Sequence, residues 1–269
     1  PARLPCAHLR ALRRAGLGGE PSQKKLPGDL EKNRTLDAWL RIGADGVVTL
    51  KIGKVELGQG VLTALGQICA DELDIELSRL SIISGDTMLS PNEGTTTGSM
   101  SMHEGGTAVR YAAAEARAIL LSMAGKHLRA PVERLRVNDG TITDPGSGRS
   151  VTYFALVGGK ALNQEATGTV APKAISARRY IGRPVPRRDL PAKIAGETIF
   201  VHDLRPDNLV HGRVIRAPVH GATLVEVDVP TVTRMPGVLS VVRDGDFLGV
   251  IARKEWQAIK AAASLESTA

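Results

Sequence analysis

The chain has 269 residues, of which 42% are hydrophobic and 3% aromatic, and it carries a formal net charge of +7. That length suits one large domain or two ordinary ones, and no stretch approaches the roughly 18 apolar residues of a membrane helix, so no transmembrane segment is expected. With so few aromatic rings there is little on which nucleic-acid bases can stack, and no nucleic-acid partner is expected.

The charge is concentrated at the start. Arg3, Arg10, Arg13, Arg14, Lys24 and Lys25 face only Glu20, so +5 of the +7 falls within residues 1–25. Residues 1–26 therefore read as a basic, solvated, disordered leader. Arg13-Arg14 matches the paired arginines of an export signal, but no apolar core of suitable length follows. The compartment stays open between bacterial cytoplasm and periplasm.

From residue 36 the elements follow in order. Leu36–Leu40 begins a strand-like pattern, and Val47–Ile52 continues it after an Ala44-Asp45-Gly46 turn. A glycine-rich stretch, Gly53 to Gly60, leads into a helix over 61–73, where Leu62, Leu65, Ile68, Cys69 and Leu73 recur on one face. Leu80–Ser84 reads as a strand. Residues 86–106 form a long polar loop of small residues, and loops of that length are commonly functional. A second helix runs over 107–127, with Val109, Ala112, Ala113, Ala116, Ile119, Leu120 and Met123 inward. Asn138-Asp139-Gly140 marks a hairpin between 135–137 and 141–143, and 151–157 suits a short helix.

Between Ala171 and Pro191, Arg178, Arg179, Arg183, Arg187 and Arg188 alternate with prolines, which reads as an extended, wet connector. Strand-like runs follow at 198–201, 209–216, 222–229, 238–242 and 247–252, then a helix from Lys254 to Ala263. A domain boundary is expected near residue 175, and there is no internal repeat.

Two cysteines, Cys6 and Cys69, make no disulfide framework, and Cys69 falls on the apolar face of its helix. A zinc site or iron–sulfur cluster needs about four clustered ligands, and none are available. His8, His103, His127, His202, His211 and His220 are scattered. No residue is assigned as a metal ligand, so any metal must arrive inside a cofactor.

Two segments have the make-up of ligand loops. In Gly53-Lys54-Val55-Glu56-Leu57-Gly58-Gln59-Gly60, the glycines let the backbone approach a ligand, and the helix start beyond offers unpaired N–H groups to an anion. It lacks the Lys-Ser/Thr of a P-loop, and Thr63 stands where a dinucleotide fingerprint has its third glycine; turn chemistry alone is the alternative. Thr95 to Ser101 repeats the theme before the second helix, where the alternative is ordinary N-capping. Two such loops in tandem favour an anion cradle.

Leu50 through Gly60, with Ala64 and Gln67, resembles the molybdenum hydroxylase (xanthine oxidase) family, in particular the large subunits of isoquinoline 1-oxidoreductase and nicotinate dehydrogenase type. Gly94-Thr95-Thr96-Thr97-Gly98-Ser99-Met100-Ser101, then Gly106-Thr107-Ala108-Val109, is similar to that family's second cofactor loop. The resemblance implies a molybdopterin cofactor with its molybdenum, in bacteria commonly the cytosine dinucleotide form. It implies that Gly58, Gln59 and Gly60 contact the cofactor near its metal end, where Gln59 would donate an amide hydrogen bond. Gly98, Ser99, Met100 and Ser101 would wrap the pterin and pyrophosphate.

Residues 193–258 resemble the family's α/β hammerhead domain through Gly196-Glu197-Thr198-Ile199-Phe200, His202-Asp203, His211-Gly212, Arg216-Ala217, His220-Gly221-Ala222 and Met235-Pro236-Gly237-Val238. The expected fold is α+β. A leader (1–26) is followed by part of a molybdopterin-binding α/β domain (27–175), an Arg/Pro-rich connector (176–192) and a truncated hammerhead domain (193–269). The implied activity is hydroxylation of an aldehyde or N-heteroaromatic substrate with water as oxygen source. Electrons would leave through a separate small subunit carrying two [2Fe–2S] clusters. The family's glycine-rich stretch with its catalytic glutamate does not occur before Ala269, nor does its mid-chain glycine- and phenylalanine-rich loop. A truncated chain is therefore expected, with no catalytic residue assigned. Glu56 and Glu104 are expected to be solvated or supporting. The alternative is a non-catalytic remnant, or a basic anion-binding module using the leader and connector arginines.

Overall fold

The computed structural model describes residues 25–197 and 200–269. The leader, apart from Lys25 and Leu26, and Thr198-Ile199 lie outside the described residues. By contacts the chain divides between Pro191 and Ala192 into two compact units.

The first unit is built on a strand–helix–strand crossover. Strands β1 (Leu40–Ile42) and β2 (Val48–Ile52) pair antiparallel across the Asp45-Gly46 turn. Helix α1 (Val61–Leu73) then carries the chain over to β3 (Leu80–Ser84), which pairs parallel to β2. A parallel pair requires such a crossover, because no tight turn can return the chain to the same end. Leu36–Ala38, expected as the start of a strand, forms a 3-10 turn instead. It seats Trp39, whose buried indole donates to Asn33 O at 2.8 Å.

Helix α2 (Thr107–Leu128) lies against α1. Ala108, Ala112, Ala113 and Ala116 are fully buried, so small side chains set a close approach of the helices. The core joins Val48, Leu50 and Ile52 of the sheet to Leu65, Ile68, Cys69 and Leu73 of α1. Burial pushes the Cys69 thiol's pKa far up, which makes it inert packing. Beyond α2, strands β4 (Arg136–Asn138), β5 (Thr141–Thr143) and β6 (Ser150–Thr152) form a second sheet. Asp139 and Gly140 both take positive φ at the β4–β5 turn, as the Asn-Asp-Gly signal requires. The helix expected over 151–157 begins only at Tyr153 (α3, Tyr153–Val157), where Thr152 Oγ1 accepts the Ala155 amide.

The arginine- and proline-rich segment is irregular, as expected, but it is not a free connector. Asp71, buried near the end of α1, accepts the amides of Arg179, Tyr180 and Ile181 at 2.7–2.8 Å. Gln67 donates to Tyr180 O, and Arg188 donates to Leu80 O at 2.6 Å. Residues 176–191 thus belong by contact to the first unit. Of the arginines expected to stay wet, Arg179, Arg187 and Arg188 are held by carboxylates and carbonyls.

A short helix, α4 (Leu190–Ala195), crosses the division. The second unit has strands β7 (His211–Ile215), β8 (Val238–Asp244) and β9 (Phe247–Ala252), antiparallel in the order β7-β9-β8. Helices α5 (Val229–Thr233) and α6 (Glu255–Glu266) supply Val232, Ala261 and Leu265 to a small core with Leu248 and Val250. Of the run 198–201, only Phe200 and Val201 are described, and Val201–Asp203 is a 3-10 turn. The strand expected over 222–229 does not form. Its backbone is met by side chains instead: Leu224 N donates to Asp246, and Arg243 donates to Leu224 O and Val225 O. Among the described residues no helix is long and apolar enough to cross a membrane.

Candidate functional site

Because β2 and β3 run parallel in register, with Ile52 opposite Ser84, the loops that follow them leave from the same edge of the sheet. That edge, beyond the carboxyl ends of parallel strands, is where α/β proteins place their ligands. Two glycines allow the loops to meet. A Cβ on Gly53 would lie 2.3 Å from Pro91 O, and one on Gly85 would lie 2.4 Å from Val55 Cγ1.

A buried polar cluster then joins them. Glu93 Oε2 accepts the amides of Gly53 at 2.6 Å and Lys54 at 3.3 Å, across 40 residues of sequence. Lys54 Nζ donates to Glu93 O at 2.6 Å and Thr95 O at 3.1 Å, and lies 3.8 Å from Asp29. The Val55 amide donates to Thr96 Oγ1 at 3.0 Å. Asp29, Lys54 and Glu93 are all buried, and Asp29 Oδ2 and Glu93 Oε1 have no hydrogen-bond partner. Burial, together with the neighbouring Asp29 charge, holds the Glu93 carboxyl above the usual carboxylate range.

Joined in this way, the loops enclose a cleft of about 500 Å³. The first loop and α1 contribute Leu57, Gln59, Val61 and Ala64; the second contributes Thr96, Thr97, Gly98, Ser99, Ser101 and Met102. Of the residues expected from sequence, Gln59, Gly98, Ser99 and Ser101 line this cleft. Gly58 and Gly60 (φ +104° and +79°) form the turn beside it rather than its wall. Met100 is also off the wall, its amide donating to Thr97 O. Gly98 and Ser99 are both left-handed, at φ +56° and +62°, a conformation costly for serine.

The start of α1 is not an open anion cradle. The Glu56 carboxylate accepts the amides of Gly58 at 2.9 Å, Gly60 at 2.8 Å and Leu62 at 3.3 Å, so a charge of the protein's own caps the helix. Gln59 turns back on its loop, donating to Val55 O and accepting from Leu57 N. Nor does the serine- and threonine-rich segment cap α2: Ser101–Gly106 is a π-helical turn continuous with it, without a side-chain cap. Gly105 and Gly106 fit it there, since a Cβ on Gly105 would meet Glu93 Oε1 at 2.5 Å. Such π-turns recur at functional sites. Glu104 pairs with His103 at 2.8 Å.

Sequence reasoning missed Asp29, Lys54 and Glu93. A lysine two residues past a strand gives no local sign of burial. Among the described residues no three His, Cys, Asp or Glu side chains gather as a metal site. The cleft offers small hydroxyls, glycine backbone and one carboxamide against an apolar side of Leu57, Val61, Ala64 and Met102. That donor set fits a flat heterocycle carrying phosphates, and the volume lies within the range of cofactor pockets.

Such a cleft, formed by two glycine and hydroxyl loops at one edge of a parallel strand pair, is that of a cofactor-binding α/β domain. Residues 10–242 match the molybdopterin cofactor-binding domain family, and the chain belongs to it. It is 39% identical to a nicotinate dehydrogenase subunit of Pseudomonas putida over 243 residues, 87% of this chain and 20% of that protein. The beta subunit of isoquinoline 1-oxidoreductase from Brevundimonas diminuta is 26% identical, over 81% of this chain and 33% of that protein. A membrane-bound aldehyde dehydrogenase (pyrroloquinoline-quinone) of Gluconacetobacter polyoxogenes is 28% identical, over 77% of this chain and 27% of that protein. The chain thus spans between a fifth and a third of the length of these relatives. The first two are of the branch that the two loops resembled.

Proposed function

We propose that this chain forms part of the molybdopterin-binding large subunit of an oxidoreductase that hydroxylates an aldehyde or an N-heteroaromatic ring, with water as the oxygen source. The observation that carries the reading is a cleft lined from both loops, with Gln59 on one wall and Gly98, Ser99 and Ser101 on the other. When bound, the cofactor supplies the two-electron chemistry, and the protein supplies binding and orientation.

With Glu56 already on the amides of α1, the anionic part of the ligand belongs with the second loop. There Thr97, Ser99 and Ser101 would hold the pyrophosphate, while Gly98 allows close approach and Met100 flanks it. Leu57, Val61 and Ala64 would exclude water from the ring face. Gln59, with Gly58 and Gly60 shaping its turn, would redirect its carboxamide toward the metal end. We assign the nucleotide of the cofactor to cytosine and the electron outlet to a small subunit with two [2Fe–2S] clusters. The three-stranded sheet and two helices of the second unit support its assignment as a hammerhead domain.

The test is co-purification. The full chain is produced in a bacterium that makes the cytosine dinucleotide cofactor, then analysed for molybdenum and for CMP released by acid. Equal amounts of both support the reading. Protein carrying neither overturns it, and molybdenum without CMP overturns the cytosine form.

A further inference from the structure

The turn that displays Gln59 is held from outside by one side chain. Arg187 Nε and Nη2 form a two-point pair with Asp189 at 3.0 and 2.6 Å. This leaves Nη1 to donate to Gly58 O at 2.8 Å, while Nη2 also approaches Glu56 Oε1 at 3.5 Å. The Arg187 stem crosses Gly60, where a Cβ would lie 3.6 Å from its Cδ. Glu56 in turn holds the amides of Gly58, Gly60 and Leu62. The amide of Gly58 is therefore fixed by Glu56 and its carbonyl by Arg187. Glu56 and Asp189 are both largely buried in side-chain terms, at 10% exposure.

We propose that Arg187 is the positioning residue of the first loop. Anchored by Asp189, its guanidinium locks the two peptide planes around Gly58 and so holds Gln59 at the wall of the cleft. A planar fork is needed, because the group must meet a carboxylate and a carbonyl in fixed directions at once, which an ammonium on a flexible stem cannot do. The loop contact stands on geometry alone; its consequence for ligand binding rests on the molybdopterin reading.

The experiment uses the full chain with Arg187→Ala, and with Asp189→Asn as a second variant should the first fail to fold. Hydrogen exchange is followed at Gly58, Gly60 and Leu62. Either variant is expected to exchange at these amides about tenfold faster, as local opening becomes easier, with α2 unchanged. Affinity is measured for molybdopterin cytosine dinucleotide and for cytidine diphosphate. The dinucleotide should bind about tenfold more weakly to the variant, whereas cytidine diphosphate, which reaches only the second loop, should bind as before. Wild-type exchange rates at the three amides in a folded variant overturn the proposal, and so does an equal loss for both ligands. If the unmodified chain binds neither ligand, the molybdopterin reading fails, and the exchange rates alone decide the role of Arg187.

Discussion

Lys54 and Glu93 hold each other in both directions: the Lys54 ammonium donates to the Glu93 carbonyl at 2.6 Å, and the Glu93 carboxylate accepts the Lys54 amide at 3.3 Å. With Asp29 3.8 Å from the same ammonium, one buried cation meets a carboxylate and two backbone carbonyls, those of Glu93 and Thr95. Breaking a buried ion pair from one side strands the remaining charge, so Lys54→Met is expected to cost about 3–5 kcal/mol of unfolding free energy. Urea denaturation checks this. A loss below about 1 kcal/mol, the scale of a surface pair, would mean that the ammonium is not what joins the loops.

The same cluster sets a pH dependence. Burial first, then the Asp29 charge, raises the folded pKa of Glu93, against the opposing pull of the Gly53 and Lys54 amides and the Lys54 ammonium. A carboxyl raised on folding favours the protonated form. Its contribution to stability is complete below the ordinary carboxylate pKa and is lost as pH rises through the folded value. Glu93→Gln should therefore flatten that part of the stability profile, measured by thermal melts from pH 4 upward. An unchanged slope would assign it to another group. Asp144 acts in the opposite sense. The Arg134 guanidinium and the Ser147 hydroxyl hold its pKa down to about 2, so its contribution is present above the ordinary value and is lost as pH falls toward 2.

The local patterns that announce the site are turn and helix signals. Asp45-Gly46 before a β-branched run, glycines ahead of an apolar-faced helix, and Asn138-Asp139-Gly140 all fold as those residues dictate. Parallel pairing of β2 with β3 could not be read locally, yet it is what brings two loops to one edge. Buried acids were equally silent. Asp71 and Glu72 sit at the end of a helical pattern where charge suggests solvent, and their partners lie about a hundred residues away. Glu56 carried a signal that could have been used: a carboxylate four residues before the glycine that opens α1 is placed to cap it.

Close backbone approach should make one glycine costlier to replace than its neighbour in the other loop. A Cβ on Gly53 would meet the Pro91 carbonyl at 2.3 Å, whereas Gly94, at φ +65°, has nothing within 4 Å. Gly94→Ala should cost only its left-handed backbone, about 1–2 kcal/mol. Gly53→Ala must push two backbones apart, and overpacking of that kind adds about 1–3 kcal/mol, with the cleft opening as the loops separate. Melting curves of the two variants compare them directly. Equal destabilisation would show that the 85–94 backbone yields freely.

Asp71 gives the sharpest test of why residues 176–191 stay on the first unit. Its Oδ1 accepts the Arg179 and Tyr180 amides and its Oδ2 the Ile181 amide, while the Lys173 ammonium donates to its carbonyl at 2.6 Å. Asp71→Asn keeps the size but turns an NH₂ group toward one of these N–H donors, leaving a buried donor unmet at a cost of about 1–3 kcal/mol. That cost falls on the segment rather than on the core, since α1 keeps its apolar face against Leu50 and Ile52. The segment should open while the rest of the unit stays folded. Arg178, Arg179, Arg187 and Arg188 then become accessible to trypsin (Arg183, followed by Pro184, stays resistant), and limited digestion should cleave there about tenfold faster than in the unmodified chain. An unchanged digestion pattern would mean that the segment is held by Gln67, Arg188 and the buried Glu72 without Asp71.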